Sequence, residues 1–78
     1  MDKKLTLNDI APGETATIKK LYATDSIRRR LLDIGLVENT KVKCVGQIPF
    51  GDPKAYFIRG AVIAIRSEDS KKIAVNRT

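Results

Sequence analysis

The chain has no histidine and a single cysteine, Cys44, in 78 residues. Each shortage excludes something. Without histidine, the side chain best suited to proton transfer near neutral pH is missing. With one cysteine no internal disulfide can form, so the fold is not a small disulfide scaffold. One Cys and no His also make a poor set of ligands for a transition metal. No cluster of acids has the loop spacing of an oxygen-ligand site, so no metal ligand is nominated. No apolar run is long enough for a signal peptide or a membrane span, which leads to the expectation of a soluble, cytoplasmic protein. Gly51-Asp52-Pro53 is not glycine-rich, and its proline removes an amide that a phosphate-cradling loop would use, so it reads as a turn that aims two strands. No Ser-x-x-Lys or Gly-x-Ser-x-Gly occurs, and Cys44 falls on the inward phase of a strand, where a thiol packs. No catalytic residue is nominated, and the chain is not expected to be an enzyme.

What is abundant is positive charge. Lys and Arg outnumber acids 15 to 9, a formal charge of +6. Such a balance suits nucleic acid, a membrane surface or an acidic protein. The cations are spread along the whole chain, and only Arg28-Arg29-Arg30 is a dense run. A solvated face that keeps a small protein soluble is the plain reading of most of them. Binding of single-stranded nucleic acid needs aromatics displayed beside that charge. Of Tyr22, Phe50, Tyr56 and Phe57, only Phe57 reads as such a platform. A small basic nucleic-acid-binding barrel is therefore kept as the alternative function.

No repeat, linker or low-complexity segment appears, so residues 1–78 read as one domain. At this length the folded chain buries only roughly 60% of the surface its unfolded form exposes, and a thin core favours a sheet without open edges. Leu7-Asn8-Asp9-Ile10 reads as one helical turn with Asn8 as its N-cap, ended at Pro12-Gly13. Glu14 to Tyr22 alternates as a strand whose phase slips at Lys19-Lys20-Leu21, the mark of a bulge. Thr24 to Gly35 reads as a helix capped by Thr24 or Asp25, with Ile27, Leu31 and Ile34 on one face and Leu32 widening it. Arg29 and Asp33 are spaced to pair across one turn, and Gly35 suits the left-handed position that ends a helix. After a turn at Glu38-Asn39, Thr40 to Ile48 reads as a strand with Val42 and Cys44 inward, Lys41, Lys43 and Val45 outward, and a bend or bulge at Gly46. Ser67 to Lys72 reads as one helical turn with acids first and lysines last, and Ile73 to Val75 as a last strand. The sum is a mostly β fold: five short strands in a closed or nearly closed barrel, with one α-helix after the first strand, lying over an end or a face.

The hairpin between Gly51 and Arg66 is apolar on both faces. A two-residue turn at Arg59-Gly60 pairs Ile58 with Ala61, Phe57 with Val62, Tyr56 with Ile63 and Ala55 with Ala64. Tyr56, Ile58, Ala61, Ile63 and Ile65 are assigned to the core. Ala55, Phe57, Val62 and Ala64 then face outward. That outer face is expected to be covered by the helix, by a second copy of the chain or by a partner.

The segments "LNDIAPGE", "IRRRLLDIGL" and "GDP…IRG…AIR", in this order and spacing, resemble the FeoA family, ferrous iron transport protein A. The likeness runs from about Leu5 to Val75. It implies an SH3-like barrel, a domain type also found at the C-terminus of iron-dependent repressors, here with no DNA-binding domain before it. It further implies a cytosolic accessory of FeoB, the ferrous iron permease with a cytosolic G-protein domain, so that the membrane is met only through the permease. Transition-metal binding and Fe²⁺ enter only by this association; no intrinsic cofactor is expected. Two positions depart from the pattern. Glu38-Asn39 stands where the family often has Pro-Gly, and the outer hairpin face, which tends to carry charge in the family, is apolar. Arg29, Arg30, Phe57 and Val62 are accordingly the expected partner surface, with a homo-oligomer as one way of covering it and no nucleic acid expected.

Overall fold

The computed structural model describes residues 5–47 and 51–77. Strands β1 (Thr15–Leu21), β2 (Lys41–Gln47), β3 (Lys54–Ile58), β4 (Ala61–Ile65) and β5 (Ile73–Arg77) form one antiparallel sheet in the order β4-β3-β2-β1-β5. Helix α1 (Asp25–Asp33) links β1 to β2, and the single turn α2 (Ser67–Ser70) carries the chain from β4 across to β5. The two outermost strands do not pair with each other. Across the gap between them lie α2 and the 3₁₀ turn Leu7–Asp9, joined by a hydrogen bond from the Ser70 hydroxyl to Asn8 Oδ1 at 3.2 Å. The barrel is thus nearly closed, by turns rather than by a strand pair.

The alternation read from the sequence is the alternation observed. Ala16 and Ile18 on β1 and Val42 and Cys44 on β2 are buried, while Lys41, Lys43 and Val45 face outward. The register slips between Ile18 and Lys20, which returns Leu21 to the core, and again between Cys44 and Gly46. Both are bulges, each an extra residue that flips the phase of the residues after it. The expected hairpin register holds at every pair. Arg59 and Gly60 both have positive φ, 48° and 86°, as the tight turn that matches strand twist requires. Asn39 takes φ 71°, the conformation for which asparagine can replace glycine.

The helix is shorter than the expected Thr24–Gly35 at both ends. Thr24 occupies the N-cap position, but neither it nor Asp25 makes a capping side-chain bond. The C-terminus is as expected: Gly35 has φ 104°, its N–H donates to Leu32 O at 3.0 Å, and Leu36 N–H donates to Leu31 O at 3.1 Å. These are the paired bonds of a Schellman motif, with Leu36 packed back into the core. A Cβ on Gly35 would lie 2.7 Å from Arg59 Cδ and 3.4 Å from Ile58 Cγ2, so the end of α1 abuts the β3–β4 turn. No ion pair joins Arg29 to Asp33; among the described residues the ion pairs are Arg30–Asp69 and Arg77–Glu14.

Two caps differ from expectation. Thr6, not Asn8, precedes the first turn, and the Asp9 carboxylate accepts from Thr6 N–H at 2.9 Å. Asn8 is one residue too late for that role and bonds Ser70 instead. The N-terminus of α2 is capped from another loop, since Asp52 Oδ1 accepts from Ser67 N–H at 2.7 Å. Ile48 and Phe50, placed by sequence in a strand end and a turn, lie outside the described residues.

Candidate functional site

The hairpin's two faces have different fates. On the inner face Tyr56, Ile58 and Ile65 are buried. Ile63 is only half-buried and Ala61 is exposed, because the strand runs past the core at the turn. The Tyr56 hydroxyl donates to Leu7 O at 3.2 Å, and burial is the main force that pushes its pKa up to about 12. Beside it, the Lys54 ammonium donates to Asn8 O and Ile10 O at 2.8 and 3.2 Å, so β3 is pinned to the first turn by two polar side chains.

On the outer face Phe57 and Val62 are a cross-strand pair, as expected, and they are 45% and 63% exposed. The helix does not cover them, which overturns one of the three expected covers. The physical reason is where α1 is held. Its Schellman end abuts the β3–β4 turn, and Leu31 points into the core, so it lies along the side of the barrel. Two open grooves flank it. One, of about 660 Å³, runs between Arg28 and Leu32 and the Ile18–Leu21 stretch of β1. The other, of about 300 Å³, lies between Arg30, Leu31 and Ile34 and residues 63–66 of β4.

Three adjacent strands contribute to the outer face. Lys43, Phe57 and Val62 form one row across β2, β3 and β4; Gly46, Ala55 and Ala64 form the next. Val45, at the bulge beside that second row, is 42% exposed. The apolar patch is therefore Val45, Ala55, Phe57, Val62 and Ala64, bordered by the exposed cations Lys41, Lys43, Arg59 and Arg66. Adjacent apolar side chains across three strands are what an interaction surface presents, more than any one exposed residue. Sequence reasoning placed Val45 outward but did not join it to the patch; the bulge signal at Gly46 was the available clue.

Of the two expected arginines the structure brings one towards this surface. Arg30 lines the β4 groove and donates to Asp69 Oδ2 at 3.2 Å, while Arg28 lines the opposite groove. Successive helical residues are about 100° apart, so Arg29 faces away from the barrel. Tyr22, which sequence reasoning passed over, is exposed with the Lys20 ammonium 5.3 Å from its ring centroid.

Among the described residues no group of three or more Cys, Asp or Glu is placed to hold an ion. Cys44 is buried, its thiol directed at Gly46 O at 3.8 Å. No helix among the described residues is long and apolar enough to cross a membrane.

Comparison with known proteins supplies the lineage. The FeoA domain model matches residues 5–77. A Porphyromonas gingivalis protein, named an Fe(2+) transport protein A/Fe(2+) transporter FeoB fusion, is 30% identical over 71 residues, 91% of this chain. The chain spans only 8% of that relative's length. The solution structure of iron(II) transport protein A from Clostridium thermocellum aligns with a TM-score of 0.91 at 27% identity, over 95% of this chain and 46% of that one. Stenotrophomonas maltophilia FeoA, solved as a zinc complex and described as a prokaryotic SH3 domain protein, aligns at 0.81 with 26% identity, over 92% and 89%. The repressor IdeR of T. acidophilum shares the fold, at a TM-score of 0.84 and 23% identity over 36% of its chain. With an SH3-like barrel, the family's motifs in order and a family model matched along nearly its whole length, the chain belongs to the FeoA family.

Proposed function

We propose that this chain is a non-enzymatic, cytoplasmic accessory of a ferrous iron uptake system that acts by contact with a FeoB-type permease. The observation that carries the reading is the fusion relative, in which an A-type domain and the transporter share one polypeptide. Fusion of two modules raises their effective concentration, which is useful only if they engage each other. The outer face of β2, β3 and β4 is the contact region, with Phe57 and Val62 at its centre, Arg30 at its edge and Arg29 as a more distant charge. Iron is the cargo of the system. The chain holds no metal of its own, since one buried thiol and scattered carboxylates make a weak ligand set.

The test is capture of the permease's cytosolic domain by the full chain, together with ferrous iron uptake after deletion. Capture by the wild type and its loss with Phe57→Asp support the reading. A chain that captures nothing and whose deletion leaves uptake unchanged refutes it. The nucleic-acid alternative predicts submicromolar binding to random RNA or DNA with a steep salt slope. Calorimetry with Fe²⁺ or Zn²⁺ is expected to give weak, non-stoichiometric heats; one micromolar site per chain would contradict the metal-free assignment.

A further inference from the structure

The outer face ends at β4, and the edge of β4 is bare. Among the described residues β4 pairs with β3 alone. In a hairpin closed by a two-residue turn, the residues flanking the turn exchange both main-chain bonds, and bonded and non-bonded pairs then alternate. Ala61, Ile63 and Ile65 therefore bond β3, and the N–H and C=O groups of Val62 and Ala64 point away from the sheet. The 300 Å³ groove beside α1 takes in inward-facing Ile63 and Ile65 and outward-facing Ala64, so it opens along this edge. An exposed, uncharged strand edge is a template for another strand.

We infer that β4 receives an extended acidic segment of a protein partner as a sixth strand, laid between β4 and α1. The inference rests on the reading of the β2–β4 face as the contact region, and it specifies how that contact is made. Charge selects the occupant. The uncharged edge Ala61–Ile65 is bracketed by Arg59 and Arg66, and Arg30 stands over the groove. The acids at this end of the strand are already engaged, Asp69 with Arg30 and Asp52 with the α2 amide; Glu68 remains exposed on α2. A second copy of the chain fits poorly. Two β4 strands paired antiparallel about Val62 or Ile63 set Arg59 of each copy beside Arg66 of the other, in a chain of charge +6. An acidic strand meets Arg59 and Arg66 with opposite charge, and Arg30, although paired with Asp69, leaves most of its side chain exposed to it.

The probe is a short peptide of alternating valine and threonine with glutamates at both ends, added to the full chain. It is expected to slow hydrogen exchange at the Val62 and Ala64 amides. Val62→Pro removes the donor on the free edge without removing a bond to β3, so it is expected to fold normally and to weaken the peptide about tenfold, as loss of main-chain hydrogen bonds does. Val62→Thr keeps the amide and is expected to bind the peptide more tightly than Val62→Pro does. A probe methylated on alternate backbone nitrogens, tested on the wild type, gives the same answer without a protein variant: the parent peptide binds and the methylated one does not. Equal binding of the methylated probe, equal binding of a lysine-ended probe, or chemical-shift changes on the outer face without protection of Val62 and Ala64 would overturn the inference. So would protection that grows with the protein's own concentration and no peptide, which would make a second copy the occupant. Capture of the permease domain separates the two levels. If Phe57→Asp abolishes capture and Val62→Pro does not, strand addition is refuted and the proposed function stands. If the wild type captures nothing and its deletion leaves uptake unchanged, the permease is refuted and the peptide arms alone decide strand addition.

Discussion

The sheet has two outer strands of similar composition and opposite circumstance. Ile73-Ala74-Val75 in β5 and Ala61-Val62-Ile63-Ala64-Ile65 in β4 are both short, apolar and last in the sheet. All three of the former are buried; of the latter only Ile65 is. Two things separate them. The edge of β5 is closed by the N-terminal segment, where Thr6 bridges Ala74 and Val75 N–H donates to Leu5 O at 3.0 Å. The edge of β4 faces the flank of α1 and Asp69 of α2 across a groove, and no strand pairs with it among the described residues. Apolar composition therefore marks a strand that needs a cover, and the position of the covering segment decides whether the chain supplies it. On the proposed function the uncovered strand acquires a use, as the side of the molecule offered to the permease.

The sharpest test exchanges the same change between the two edges. Val75→Asp buries a carboxylate at a site 3% exposed, beside strand β1, and is expected to cost about 4 kcal/mol. Against the roughly 5 kcal/mol expected of so small a domain, that leaves about 1 kcal/mol, a marginally folded chain that melts far below the wild type. Val62→Asp or Phe57→Asp changes an exposed cross-strand pair and is expected to cost about 0.5 to 1 kcal/mol, with capture of the permease domain lost. Thermal melts of the three variants decide it. Equal destabilisation at both edges would mean that the outer face of β4 is packed after all.

A second effect bears on what holds α1 beside the bare edge. Gly35→Ala forces a side chain into φ 104° and places a Cβ 2.7 Å from Arg59 Cδ. Arg59 is flexible and can swing aside, so the backbone term dominates, at about 1 to 2 kcal/mol. The melting temperature should fall by about 4 to 8 °C per kcal/mol. Gly13→Ala, at φ 94° with nothing near its would-be Cβ, isolates that backbone term for comparison.

Much of this fold was legible in the sequence, and the division is one of range along the chain. Strand phase, both bulges, the register of the hairpin and the Schellman end of α1 depend on residues a few positions apart, and period-two alternation or a glycine reports them. What was not legible joins distant segments. Asp52 caps α2 from fifteen residues away and Arg30 reaches Asp69 across thirty-nine. The seat of α1 is of the same kind, and it left Phe57 and Val62 open where the helix was one expected cover. The similar apolar runs on β4 and β5 gave no hint of which edge Leu5 and Thr6 would close. The candidate surface was half legible for this reason: its residues were named from alternation, and its exposure was not.

Tyr56 joins the two halves of the comparison, since it stands on β3 and its hydroxyl reaches Leu7 O, next to the segment that closes β5. Tyr56→Phe is expected to cost about 1 kcal/mol at neutral pH through the lost hydrogen bond. The pH dependence has a definite sign. Burial, aided by Cys44, raises the folded pKa from 10.0 to about 12, so the unfolded chain releases the phenol proton first. The contribution is full below pH 10 and is lost as pH rises through about 12. Denaturant titrations at pH 9 and at pH 11 should therefore show the gap between wild type and Tyr56→Phe narrowing. Every other ionisable group is common to both proteins and cancels in the difference. A gap independent of pH would show that the phenol is not shielded.

The smallest expected effect separates Arg30 from Arg29. On stability they should differ modestly: loss of Arg30 takes a hydrogen-bond partner from the buried Asp69 carboxylate and is expected to cost about 1 kcal/mol, while Arg29 has no ion-pair partner among the described residues. On association they should differ too. Both add to the field that draws an acidic partner, and loss of either slows the on-rate at low salt. Only Arg30 stands over the β4 groove; Arg29 points away from it. Neutral variants avoid setting a new carboxylate against Asp69, so Arg29→Gln and Arg30→Gln are compared by the kinetics of permease-domain or acidic-peptide binding. Arg29→Gln should change only the on-rate, and that change should vanish as salt shortens the reach of the charge to about 8 Å and below. Arg30→Gln should also raise the off-rate, by about two- to fivefold at physiological salt, because it removes a charge at the contact itself. Equal behaviour of the two variants would place the partner away from the β4 edge, and an off-rate effect confined to Arg29 would move the contact to the far side of α1.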